Sequence, residues 1–141
     1  MKIKSDFITN SSSTSFILIT KENFNEESFY RHIGLEKEFP LDYLFHELFE
    51  SIDYNKEEIN DYIKNNYPEY TVSEFLKNGH YFDFDDNTIQ EVIQRYDLGD
   101  TVFVGTLSTE SNRNDSETFF CMESFIIIDE DFYLNSEMSI W

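Results

Sequence analysis

The residues of this sequence best suited to acid–base or nucleophilic chemistry are three histidines, His32, His46 and His80, and one cysteine, Cys121. No serine stands in a strand–turn–helix nucleophile motif, and catalysis needs a nucleophile and a base in defined geometry. Cys121 lies in an aromatic stretch, where a cysteine usually behaves as a small core residue. We therefore predict no catalytic residue, which favours a protein that is not an enzyme.

Two acidic stretches, residues 83–87 and 129–131, have the oxygen ligands that Mg²⁺ and Ca²⁺ prefer. An EF-hand loop counted from Asp83 needs glycine at position six and glutamate at position twelve, where this sequence has Thr88 and Gln94. Asp86 and Asn87 also suit helix N-caps. The sequence predicts no metal site and no cofactor, with a weak Mg²⁺ or Ca²⁺ site as the alternative.

A polar run near the N-terminus lacks the glycine and lysine spacing of a phosphate-binding loop and precedes a predicted strand. Asparagine and serine favour turns, so we predict a hairpin loop here. Its clustered N–H and O–H groups, with lysines nearby in sequence, form a candidate anion site. This candidate site comprises Asn10, Ser11, Ser12, Ser13, Thr14 and Ser15.

The charge is strongly acidic: 29 Asp and Glu against 10 Lys and Arg give a net charge of −19 over 141 residues. Direct binding to nucleic acid or to an anionic membrane is disfavoured, because both need basic residues. A basic protein, such as a nucleic-acid-binding enzyme, is the favoured partner. The candidate partner-binding residues are carboxylates on or beside the predicted central helices, namely Glu47, Glu50, Asp53, Glu57, Glu58 and Asp61.

Periodicity predicts strands at both ends of the chain and helices between them. Residues 3–9 and 16–19 form a predicted N-terminal hairpin, residues 101–107 and 118–128 a C-terminal one, and the tail a short edge element. Helices are predicted over residues 25–34, 41–52, 55–67, 71–78 and 87–98 from their apolar stripes and capping residues. We predict one α+β domain, residues 1–141, with an antiparallel sheet covered on one face by the helices.

The opening KIKSDFITNSSSTSFILI resembles a motif at the start of many small, mostly uncharacterised proteins of Gram-positive bacteria and their phages. Phe7, Asn10, Ser11–Ser13, Ser15 and Phe16-Ile17 match this motif, and Thr14 replaces a serine. The resemblance covers about the first twenty residues and implies no activity. Its association with phage and mobile-element proteins implies a host-directed role.

These observations favour a non-catalytic acidic protein, an inhibitor that mimics nucleic acid and occupies a basic site on a host protein. One alternative is a small enzyme or ligand-binding domain with an anion site at the Ser-rich hairpin. Another is a protein whose charge only keeps it soluble. A lone cysteine and the absence of a stretch of about 20 apolar residues predict a cytoplasmic location. The oligomeric state is open.

Overall fold

A computed structural model describes residues 13–34, 42–78, 85–108 and 126–136. The strands and helices within these ranges are β1 (Ser13–Thr20), α1 (Glu26–Ile33), α2 (Asp42–Asn55), β2 (Glu57–Glu58), α3 (Ile59–Asn66), α4 (Val72–Asn78), α5 (Asp86–Asp97), β3 (Thr101–Ser108), β4 (Ile126–Ile128) and β5 (Phe132–Asn135). The strands form one antiparallel sheet in the order β2-β3-β1-β5-β4. The predicted α+β class is confirmed.

Strand β1 lies in the middle of the sheet, as its apolar run predicts. It pairs with β3 from Ser13↔Ser108 to Thr20↔Thr101, and with β5 from Ile17↔Asn135 to Thr20↔Phe132. Residues 16–19 are completely buried. A strand that is apolar on both sides needs cover on both sides, because successive side chains point to opposite faces.

The helices supply that cover from both faces of the sheet, so the prediction of helices on one face only is wrong. Ile17 and Ile19 pack in one cluster with α3, α4 and α5, whereas Phe16 and Leu18 pack in a second cluster with α1 and α2. The alternating residues of β3 and β5 divide between the clusters in the same way. The sheet is therefore the middle layer of three.

Capping residues fix where several helices begin and end. The side chain of Asn25 accepts a hydrogen bond from the Ser28 amide (2.8 Å), and Gly34 ends α1 with φ +78°. Thr71 and Glu74 form a reciprocal capping box at the start of α4. The predictions for these three boundaries are confirmed.

Other boundaries differ from those predicted. Glu57 and Glu58 do not begin a helix with Asn55; they form the edge strand β2 opposite Val104 and Phe103, and Glu58 caps α3. The N-cap of α5 is Asp85 instead of Asp86 or Asn87. The tail was predicted to add an edge element, but its strand β5 lies inside the sheet. It pairs with β1 on one side and with β4 on the other, so β4 forms the edge.

A close approach between β3 and α2 depends on Gly105. A Cβ atom at this position would lie 2.5 Å from Cζ of Phe16 and 2.8 Å from the carbonyl oxygen of Asn55, the last residue of α2. The missing side chain lets the end of α2 rest on the sheet. Gly105 therefore helps to set the position of α2.

Several predictions fall on residues outside the described ranges. They concern the strand at residues 3–9, the loop at residues 109–117, the first part of the strand at 118–128, and the environments of His80 and Cys121. The single domain over residues 1–141 stays a prediction. None of the described helices has the length and apolar character needed to cross a membrane.

Candidate functional site

On the outer side of α2, two exposed tyrosines flank the half-buried Glu47 and the exposed Glu50. Leu48 and Ile52 bury the opposite side of this helix against the sheet. Tyr43, Glu47, Glu50 and Tyr54 recur at i, i+4, i+7 and i+11, so they share one helical face. The exposed fractions are 56% for Tyr43 and 69% for Tyr54. We call these four residues the α2 face; over eleven residues it is about 16 Å long.

His46 connects the α2 face to α1. Its Nδ1 is hydrogen-bonded to Oε2 of Glu26, and its Nε2 lies 3.5 Å from Oε1 of Glu50. The hydrogen bond with Glu26 is the largest effect and raises the pKa of His46; burial opposes it, and the charges of Glu26, Glu50 and Glu47 add to the increase. The imidazole is about half exposed. His46 is thus a titratable group beside an acidic surface, with no nucleophile hydrogen-bonded to it among the described residues.

The six carboxylates predicted to bind a partner do not lie on one face. Glu47, Glu50 and Asp53 are on α2, Asp61 is on α3 across the sheet, and Glu57 and Glu58 are on the edge strand between them. Several of the six also have neighbours that use their oxygens: Asp53 pairs with Lys56 (2.6 Å), Glu57 accepts from Asn65 (3.3 Å), Glu58 accepts from Asn60 (2.7 Å), and Glu50 lies 3.5 Å from Nε2 of His46. Only Glu47 and Glu50 belong to the α2 face.

Only part of the Ser-rich run, residues 10–15, is described, and that part is a strand. Residues 10–12 lie outside the described ranges, whereas Ser13, Thr14 and Ser15 belong to β1, so the loop prediction is wrong for these three. Thr14 and Ser15 are only 5% and 7% exposed, opposite Leu107 and Thr106 of β3. Their side chains are not presented to solvent. An anion site formed by residues 10–12 stays a prediction.

His32 takes part in a structural cluster. Its ring stacks on Phe132 with centroids 4.5 Å apart, its Nδ1 lies 2.7 Å from Oδ2 of Asp129, and its Nε2 lies 3.7 Å from Oε1 of Glu22. Burial alone would raise the pKa of Asp129, but hydrogen bonds from His32 and the Asp131 amide outweigh it and the pKa is lowered. The cluster ties α1 to the β4–β5 turn.

The acidic turn at residues 129–131 therefore stabilises the fold through hydrogen bonds. One Asp129 oxygen faces His32, and the other accepts a hydrogen bond from the Asp131 amide (2.8 Å). Across the described ranges, no three histidine, cysteine, aspartate or glutamate side chains are grouped as a metal site would require. Asp85, from the other acidic stretch, is used as a helix cap.

A pocket of about 570 Å³ lies between α3, α4 and α5, on the side of the sheet opposite the α2 face. Helix α3 contributes Asn60, Ile63 and Lys64, and α5 contributes Ile93, Tyr96 and Asp97. Both triplets have i, i+3, i+4 spacing, which places each on one helical side. The sequence did not predict this pocket, because its walls come from three helices and no local pattern shows how these pack together.

A scan against protein-family models, a search of curated proteins and a search of solved structures each find no match to this chain.

Proposed function

We propose that this chain is a non-catalytic interaction protein that binds a basic surface of another protein through the α2 face. In doing so it occupies a surface that otherwise binds nucleic acid. The observation that carries the proposal is the pair of exposed tyrosines, Tyr43 and Tyr54, on either side of Glu47 and Glu50. The resemblance of the N-terminal residues to phage and mobile-element proteins favours a host protein as the target.

The residue types of the α2 face suit a basic partner. Tyrosine is enriched in the central, energetically dominant parts of protein interfaces, and an arginine can stack on its ring. Carboxylates form charge-assisted hydrogen bonds with arginine and lysine. Two glutamates between two tyrosines therefore offer a basic side chain both kinds of contact within three helical turns.

The overall charge supports the same class of partner. Four of the described Lys and Arg residues are already within 4 Å of a carboxylate, in the pairs Lys21–Asp100, Arg31–Glu22, Lys56–Asp53 and Arg95–Glu91. Among the described residues, this leaves Lys64 and Lys77 to attract phosphate, so a direct nucleic-acid complex through this part of the chain is disfavoured. A net charge of −19 accelerates encounters with a basic surface at low salt.

The test compares two variants with equal charge. Glu47→Gln/Glu50→Gln removes two charges from the α2 face, and Asp61→Asn/Glu69→Gln removes two exposed charges elsewhere. Each immobilised protein is incubated with lysate of a Gram-positive host at about 0.1 M salt, where the Debye length is about 10 Å, and at about 1 M, where it is about 3 Å. Captured proteins are identified by mass spectrometry and challenged with duplex DNA.

We expect the wild type and the Asp61/Glu69 variant to capture the same basic protein at low salt only, and DNA to displace it. The Glu47/Glu50 variant should lose most of this capture, since its net charge matches the control and only the α2 face differs. Equal loss in both variants would refute a defined face and leave a general charge effect. Capture at background level by the wild type would refute the proposed function itself.

A further inference from the structure

We propose that the pocket between α3, α4 and α5 binds a small zwitterion with an aromatic ring, of the class of the aromatic amino acids. The pocket lies across the sheet from the α2 face, and the proposal does not depend on the proposed function. Its volume of about 570 Å³ falls within the range of about 300–1,000 Å³ that is usual for small-molecule sites.

The walls of the pocket are held in place before any ligand arrives. Tyr96 donates from its hydroxyl to Oδ1 of Asn60 (2.8 Å), and the Asn60 amide donates to Glu58 (2.7 Å). Tyr70 stacks on Tyr67 with centroids 6.0 Å apart and an interplanar angle of 18°. A wall that is already ordered loses little side-chain entropy on binding, which favours affinity.

The inner surface suits an aromatic ring. Ile63 of α3 is buried, and Ile93 and Val72 are partly buried where they pack against the same cluster. Tyr70 and Tyr96 add two aromatic walls to this apolar floor. Aromatic rings that meet edge-on or offset contribute more than their buried area alone. This apolar and aromatic lining therefore suits a ring of phenyl or indole size.

Two opposite charges at the pocket indicate a ligand that carries both a negative and a positive group. Lys64 on α3 and Asp97 on α5 are both exposed, and neither has an ion pair with any described residue. Four of the six described Lys and Arg residues are paired with a carboxylate, and Lys77, outside the pocket, is the other one without an ion pair, so the argument rests on the position of Lys64 in the pocket wall. Asp97 also ends α5, where the helix dipole disfavours a carboxylate, so helix stability does not explain its place. Lys64 is positioned for a ligand carboxylate and Asp97 for a ligand ammonium.

The probe for this site is L-phenylalanine, titrated by isothermal calorimetry and by two-dimensional NMR of the full chain. Three analogues separate the contributions: phenylacetate lacks the ammonium, phenethylamine lacks the carboxylate, and glycine lacks the ring. We expect phenylalanine to bind more tightly than each analogue, with amide shifts centred on residues 60–64, 70–73 and 93–97. Lys64→Met and Asp97→Asn should each weaken binding by about tenfold or more, which is the range for a lost hydrogen bond to a charged group.

Matched controls use charges of the same kind outside the pocket. Lys77→Met and Asp61→Asn each remove an exposed charge from α4 or α3, and both should bind phenylalanine as the wild type does. Absence of shifts with phenylalanine, tyrosine and tryptophan at millimolar concentration would overturn the proposal. Equal affinity for phenylalanine and for the two singly charged analogues would overturn recognition of a zwitterion. These outcomes leave the α2-face experiment unaffected.

Discussion

Replacement of Gly105 by alanine tests how α2 is held on the sheet. The new Cβ would lie 2.5 Å from Cζ and 2.8 Å from Cε2 of Phe16, and 2.8 Å from the Asn55 carbonyl oxygen. Favourable carbon–carbon separations are about 3.5–4.0 Å, so the ring or the end of α2 must move by about 1 Å. Phe16 is completely buried, and a close-packed interior resists such a shift.

The expected loss of stability follows from two opposing contributions. Overpacking of a filled core costs about 1–3 kcal/mol, and two fixed neighbours place this site near 3 kcal/mol. Alanine in a strand recovers about 0.5–1 kcal/mol of the backbone entropy that glycine loses on folding. We expect Gly105→Ala to lower the free energy of unfolding by about 2 kcal/mol, and Tm by about 4–8 °C for a chain of this size.

Urea denaturation followed by far-ultraviolet circular dichroism measures this loss. Phe16→Leu removes the ring atoms nearest to the new Cβ, so the double variant should lose at least about 0.5 kcal/mol less than the sum of the two single variants. Gly34→Ala is the control: no atom lies within 4 Å, and only the strain of φ +78° contributes, independently of Phe16. A loss below about 0.5 kcal/mol for Gly105→Ala, or strict additivity with Phe16→Leu, would refute this account of the β3–α2 contact.

Three further predictions concern caps and titratable groups. Asn25→Ala removes the α1 cap and should cost about 1 kcal/mol in thermal unfolding, whereas Asn25→Asp should retain most of it; equal losses would contradict the capping role. Glu26→Gln should lower the pKa of His46 in an NMR titration; in the wild type the raised pKa adds stability that is present below about pH 6.5 and is lost as the pH rises through the folded-state pKa. An unchanged His46 pKa would contradict the hydrogen bond. The pKa of Asp129 is lowered from 3.8, so its contribution is present above that value and is lost as the pH falls through the folded-state pKa. The free energy of unfolding of Asp129→Asn should therefore fall less steeply than that of the wild type as the pH is lowered. An unchanged dependence of this free energy on pH below 3.8 would contradict the contact with His32.

Local sequence patterns predict those parts of the fold that depend on neighbouring residues. The apolar stripe of α2, the cap at Asn25 and the stop at Gly34 each need only a few adjacent residues, and each is confirmed. Helix α5 likewise places Ile89 and Val92 in the core, as its stripe predicts. The physical reason is that helical hydrogen bonds and caps are made within a few residues along the chain.

Partners that are distant in sequence are decided by the tertiary structure. Ser13–Ser15 have turn-forming residue types, but β3 supplies a full ladder opposite them, and pairing outweighs the local preference. Glu57 and Glu58 have the residue types of a helix start, but they pair with the edge of β3 instead. Residues 16–19 are apolar on both sides, which indicates that both faces of the sheet are covered. The prediction nevertheless placed all the helices in one layer.

The same dependence applies to the candidate sites. The acidic composition predicts a basic partner, but the sequence does not show that Asp61 lies across the sheet from Glu47 and Glu50. The α2 face becomes visible only when the buried side of the helix is known, because exposure of Tyr43 and Tyr54 depends on which side packs. The pocket needs the placement of three helices, which no local pattern contains.

The position of β1 in the sheet has a consequence for biosynthesis. Its partners β3 and β5 begin at residues 101 and 132, so during translation β1 is made long before either neighbour. At about 5–20 residues per second, the interval between β1 and β5 is roughly 6–22 s. At the start of this interval the run Phe16-Ile17-Leu18-Ile19 has neither ladder partners nor helical cover; the helices follow from residue 26, β3 from residue 101 and β5 from residue 132. Short apolar β-formers without charge are prone to pair with copies of themselves. Early collapse of the helices onto β1 would shield this run before β5 is made.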